Sequence, residues 1–209
     1  PFKIPYMGIV NFLIFLLTLF ISNVVHGRPV SYPGGHTVMS KSNASYDSLY
    51  YHYSPTFKYS VGIESVIDKR INKKYAYARS TILINRMNTK SSQRNFYAQG
   101  GISSNGFGHY FYGIHGDWET RRLFSGFGVK KTVVDDSQND FERSVLLGIA
   151  PYLGGYGDLH SWLMVKSMRN SAMDNWESYP WLRFFKGNFF VEAGYGQDTK
   201  WDAHFMYRF

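Results

Sequence analysis

From residue 28 onward the chain alternates. Phe57, Tyr59, Val61 and Ile63 stand against Lys58, Ser60, Gly62 and Glu64. Tyr110, Tyr112, Ile114 and Trp118 stand against His109, Gly113, His115, Asp117 and Glu119, and Trp201, Ala203, Phe205, Tyr207 and Phe209 against Asp202, His204, Met206 and Arg208. A period of two with one apolar face is the geometry of a β-strand. Composition agrees: 19% of residues are aromatic, Gly numbers 20 and Pro only 7, which excludes a helical bundle and a disordered chain. Cysteine is absent, so no disulfide, thiolate metal site or cysteine nucleophile exists.

The alternation predicts twelve strands, near 36–42, 47–54, 56–66, 75–87, 93–104, 108–119, 121–132, 141–153, 159–169, 178–186, 188–196 and 200–209. No repeat or linker divides them, so residues 28–209 form one domain. Spread over twelve strands, this domain has about 15 residues per strand and connection, above the ~9–11 that cross a bilayer; eight or ten strands are the alternatives. The apolar faces are aromatic to the strand ends (Tyr51, Tyr53, Phe57, Tyr59, Trp118, Trp201, Tyr207), as in the girdles of a membrane barrel. The opposite faces carry Lys58, Glu64, Arg79, Asp117, Glu119, Lys130, Lys166, Arg183, Glu192, Asp202 and Arg208, too many charges for a dry core and suited to an enclosed lumen. The expected fold is all-β: a closed, antiparallel, up-and-down transmembrane barrel. Connections alternate accordingly, with turns at Ser54-Pro55-Thr56, Thr120, Gly154–Asp158 and Lys186-Gly187-Asn188 at one end. Longer loops at Asp68–Lys74, Val133–Asp140 and Asn170–Ser178 lie at the other.

The last strand ends in Phe209, and its residues Trp201, Ala203, Phe205, Tyr207 and Phe209 resemble the C-terminal targeting signal of bacterial outer-membrane β-barrel proteins. The blocks Asp117–Arg122, Gly148–Tyr152 and Gly157–Trp162 are similar to those of small outer-membrane proteins of porin-like type. The resemblance implies insertion by the barrel-assembly machinery, with outer-membrane lipid and lipopolysaccharide as surroundings.

Residues 1–27 differ from the rest. Lys3 is their only charge, and Gly8–Ile21 is an apolar run of h-region length. Val25-His26-Gly27 offers a cleavage site, leaving Arg28-Pro29 to begin the mature chain. The reading is a helical signal peptide, 1–27, with an uncleaved anchor as its rival.

Function is less sharply written. A narrow, weakly anion-preferring pore is expected if the lumen is open, because inward Lys and Arg outnumber inward acids. A plugged lumen would instead make a structural or surface-interaction barrel. His52, Ser54 and Glu64 partly resemble the hydrolytic triad of outer-membrane lipid A deacylases. His109, His115, His204 and Met206, with Met87, Met164 and Met168, form a candidate copper or zinc set. Glu192 is expected opposite His204 across the Gln197-Asp198-Thr199 turn. No cofactor is required. Net charge is +8, but Lys and Arg are dispersed among acids, which excludes a nucleic-acid surface. Lys69, Arg70, Lys73 and Lys74 would meet lipopolysaccharide phosphates.

Overall fold

The computed structural model describes residues 29–134, 138–155 and 157–209; the predicted signal peptide, 1–27, lies outside them. Twelve antiparallel strands follow one another: β1 (Gly35–Ser42), β2 (Tyr46–Thr56), β3 (Tyr59–Asp68), β4 (Lys73–Asn88), β5 (Ser92–Ser103), β6 (Gly106–Thr120), β7 (Leu123–Val134), β8 (Gln138–Ile149), β9 (His160–Arg169), β10 (Glu177–Lys186), β11 (Phe189–Gly196) and β12 (Lys200–Arg208). Each pairs with its sequence neighbours, and β1 pairs with β12, so the sheet closes into a barrel without a free edge. Phe209 completes the seam by exchanging backbone hydrogen bonds with His36. The rim where β1 begins and β12 ends is called here the terminal rim, and the opposite one the far rim.

Alternation decides which side faces where. Outward positions are apolar and exposed, among them Tyr51, Ile63, Tyr112, Trp118, Leu147, Val165, Val191 and Trp201. Inward positions are buried, and they hold both the large aromatics and the ionised groups.

All twelve expected strands are present, with local differences. The first hairpin at the terminal rim turns at Phe57-Lys58, two residues beyond the expected Ser54-Pro55-Thr56, because a bulge between Tyr53 and Thr56 shifts the register. His52 therefore faces Gly62. Lys58 sits exposed at the tip, its N–H donated to Thr56 Oγ1, and lines no lumen. A second bulge, between Leu83 and Asn85, exchanges the two faces of β4. Leu83 is buried, whereas Met87 is exposed and leaves the inward methionine set. The expected Val133–Asp140 loop is shorter, since β7 runs to Val134 and β8 begins at Gln138. β8 stops at Ile149, ahead of Pro151. Pro180 is tolerated in β10, exposed on the outer side opposite Val165.

Gly62 is required by close approach. A Cβ there would lie 2.0 Å from the Tyr51 carbonyl oxygen and 2.6 Å from the His52 Cα. Gly62→Leu should therefore destabilise the barrel by about 1–3 kcal/mol through strain between β2 and β3. Val61→Leu, one residue away on the outer face, should stay within about 0.5 kcal/mol. Urea unfolding in lipid vesicles measures both.

Candidate functional site in the barrel interior

The interior is filled in three layers. At mid-height, three ion pairs are each set against an aromatic ring. Arg79 Nη1 donates to Glu64 Oε2 at 2.7 Å and Arg79 Nη2 to Gln99 Oε1 at 2.6 Å, with the guanidinium 4.4 Å from the Tyr50 ring centre. Lys166 Nζ meets Asp202 Oδ2 at 2.6 Å and lies 4.4 Å from the Trp181 ring centre. Arg183 Nε donates to Glu192 Oε1 at 2.7 Å and lies 4.2 Å from the Phe124 ring centre. Tyr179 donates its hydroxyl proton to the same Asp202 oxygen at 2.8 Å. Lys130 rests 4.8 Å from the centre of Phe111.

Around these pairs lies the largest apolar cluster, drawn from β1, β2 and β9–β12 and including Met39, Tyr50, Trp162, Met164, Trp181, Phe190 and Met206. Next to it in the sheet, β7 and β8 bring Gly126, Gly128 and Ser144 inward. Bulk on one part of the wall and glycine on the next leave a cavity of about 260 Å³, bordered by Trp162, Trp181, Phe190, Arg183, Asp117 and Glu119. A Cβ at Gly128 would come within 3.0 Å of Ser144 Oγ, so larger residues there would fill the space.

Towards the far rim the interior narrows on Tyr75, Tyr77, Asp68 and His109. Arg70 clasps Asp68 at 2.8 Å and Asp140 at 2.6 Å, tying the β3–β4 turn to the start of β8. Burial opposes the Arg70 charge, but the hydrogen bond to Asp68 and the field of Asp140 raise its pKa above the ordinary arginine value. Lys69 is held by Asp47. Of the basic residues expected to meet phosphates, Lys73 and Lys74 are exposed at the start of β4.

At the terminal rim the chain itself enters the barrel. Pro29 borders the cavity. Val30 is 3% exposed against Leu83 and Tyr97, and the Ser31 N–H donates to Ser54 Oγ at 3.0 Å. Nothing in the alternation pointed to these residues. Sequence reasoning also missed the glycine wall, although Gly126-x-Gly128 on the inward face of β7 is a legible signal of space.

The candidate hydrolytic residues are buried but not assembled. Neither ring nitrogen of His52 has a hydrogen-bond partner, Ser54 Oγ receives the Ser31 N–H, and Glu64 pairs with Arg79. The candidate metal residues are also apart in their bonding. His109 bonds Tyr77, His115 stacks on Tyr97, and His204 bonds Glu192, its register partner as expected. Met206 is buried in the large cluster. Among the described residues no group of three His, Asp or Glu side chains could hold a metal ion. Asp117 and Glu119 border the cavity, Lys130 lies against Phe111, and Arg208 is buried.

No protein-family model matches the chain, and no curated protein does. It is similar to a solved structure reported under "Unveiling the Mechanism Behind the in-meso Crystallization of Membrane Proteins". The identity is 11%, covering 84% of this chain and 83% of that one, with a TM-score of 0.47.

The Arg79–Glu64 pair tests how the interior is held. Breaking it with Arg79→Met strands a buried carboxylate and should cost about 3–5 kcal/mol, whereas Arg79→Met with Glu64→Leu should recover most of the loss. A double-mutant cycle from unfolding midpoints reads the coupling.

Proposed function

We propose that the chain is an outer-membrane β-barrel whose lumen is closed at rest, a structural or surface-interaction barrel and not an open porin. The observation that carries this reading is the filled interior. Tyr50, Phe111, Trp181 and Met206 sit inside the barrel at no more than 3% exposure, which an aqueous channel along them would not allow. Membrane placement draws on the outer surface, where large apolar side chains are exposed on every side; a continuous apolar exterior of this kind needs hydrocarbon around it. The C-terminal aromatics support the outer membrane as the destination. Trp201, Phe205 and Phe209 stand exposed on the outer face of β12, with Tyr207 partly covered between Phe189 and Phe209. In this orientation the terminal rim is periplasmic and the far rim, with Lys73 and Lys74, meets lipopolysaccharide.

A hydrolytic role for His52, Ser54 and Glu64 is not part of the proposal: Ser54 Oγ accepts the Ser31 N–H and Glu64 is paired with Arg79. Charge selectivity is not part of the proposal: Arg79, Lys166 and Arg183 are each paired with an interior carboxylate.

Refolded protein in planar bilayers should give no stable conductance steps. Reproducible steps would overturn the closed-lumen reading in favour of a pore, and solubility without detergent would overturn the membrane placement.

A further inference from the structure

Inside the barrel Arg79, Lys166 and Arg183 each meet a carboxylate. Three cations on the outside do not. Lys131 of β7, Arg143 of β8 and Arg169 of β9 take outward positions, since their chain neighbours Lys130, Ser144 and Met168 turn inward. Arg143 lies directly opposite Arg169 across the β8–β9 ladder. Lys131 is opposite Phe141 and therefore diagonal to Arg143. Opposed side chains on one face have Cβ atoms about 5 Å apart and diagonal ones about 7–8 Å, so the three charged ends can converge on one anion. All stand near the far rim, where Arg169 ends β9 and β7 ends at Val134.

Among the described residues none of the three is in an ion pair. No outward position of β7, β8 or β9 holds a carboxylate. The acids of β8, Asp140 and Glu142, face the interior, and Asp140 is held there by Arg70. The cations have aromatic cover instead. The Arg143 guanidinium lies 5.1 Å from the centre of the Phe141 ring and 5.9 Å from that of Trp176. Its Nε is buried without a hydrogen-bond partner among the described residues, and the Arg169 Nε donates to the Met173 carbonyl at a long 3.4 Å. Like charges set opposite one another on a strand pair repel, and a buried donor left unpaired costs further free energy. A shared anion would relieve both.

Towards mid-height the same face carries exposed Phe127, Val145, Leu147, Leu163 and Val165. An anion seated on the cations thus has an apolar wall beside it, which suits an acyl chain. We propose that Lys131, Arg143 and Arg169 bind a headgroup phosphate of a lipid whose acyl chains lie along Phe127, Val145 and Val165. The inference rests on the membrane placement above, in which the far rim meets lipopolysaccharide, and it names the residues that hold that lipid. Two guanidinium forks match phosphate oxygens, and the lysine adds a third positive charge. Tyr112, the register partner of Lys131, and Trp176 are exposed around the site. Such rings collect at the boundary between hydrocarbon and water, the level at which lipid phosphates sit.

Protein refolded in uncharged detergent micelles is titrated with purified lipopolysaccharide, binding is read by thermophoresis, and folding is checked by the gel mobility of unheated samples. Combining Lys131→Gln, Arg143→Gln and Arg169→Gln should weaken binding by at least about tenfold. A charge-matched control combines Lys58→Gln, Arg94→Gln and Lys186→Gln, three exposed cations at the terminal rim, and should stay within about twofold. Lipopolysaccharide stripped of its phosphates should bind the parent as weakly as the intact lipid binds the first triple variant. Without lipid that variant should be at least as stable as the parent, and with lipid only the parent should gain in unfolding midpoint. Arg169→Gln alone, with a loss of at least about threefold, keeps the test decisive if the triple variant fails to fold. Equal losses in the two triple variants, or full binding of the dephosphorylated lipid, overturn the site. Inorganic phosphate that displaces the lipid at comparable concentration assigns the cluster to a soluble anion and overturns the lipid. Solubility without detergent overturns the membrane placement and the site with it, whereas a chain that needs detergent and fails the lipid tests overturns the site alone.

Discussion

An apolar exterior leaves ionised side chains one direction to go. Between the two rims of this barrel the outward positions are taken mainly by Ile, Val, Leu and aromatic residues, so most arginines, lysines and carboxylates of the strands turn inward. There they meet little water, and an isolated buried charge is among the most unfavourable groups a protein can hold. The interior answers in the same way three times, with a cation, a carboxylate and an aromatic face: Arg79 with Glu64 and Tyr50, Lys166 with Asp202 and Trp181, Arg183 with Glu192 and Phe124. Each ring covers the apolar side of its cation and fills volume that would otherwise be empty. Neutralisation and filling are therefore one event, and closure of the lumen follows from it.

Much of this was legible from residue types. Period two located every strand, and the pairing of Glu192 with His204 followed from a short turn at Gln197-Asp198-Thr199. Parity failed where the backbone departs from it. A bulge adds one residue without any change in composition, so Met87 was assigned to the interior and Lys58 to the wall when one is outside and the other at a hairpin tip. Periodicity is a property of regular backbone and carries no sign of its own interruptions.

The interior site was harder to read for a different reason. Which side of a strand is inward is local information, but which inward side chains meet depends on the register and tilt of neighbouring strands, which residue types do not state. Glu64 looks like a partner for His52 in sequence, and in the fold it belongs to Arg79. The glycines at 126 and 128 matter only because Trp162 and Trp181 border the same cavity. Pro29–Ser31 was assigned to the mature chain but given no role, because no alternation marks it.

The seam between β1 and β12 has a further consequence. Every other strand pair joins neighbours along the chain, but this one joins Thr37 to Arg208 and Val38 to Tyr207. β12 must find β1, and the loop that this contact closes is nearly the whole domain. Contacts of such separation are slow to form, since the loss of chain freedom precedes the gain. Until the seam is made, β1 and β12 are two exposed edges of an open curved sheet, the form in which the polypeptide is most prone to aggregate with other copies.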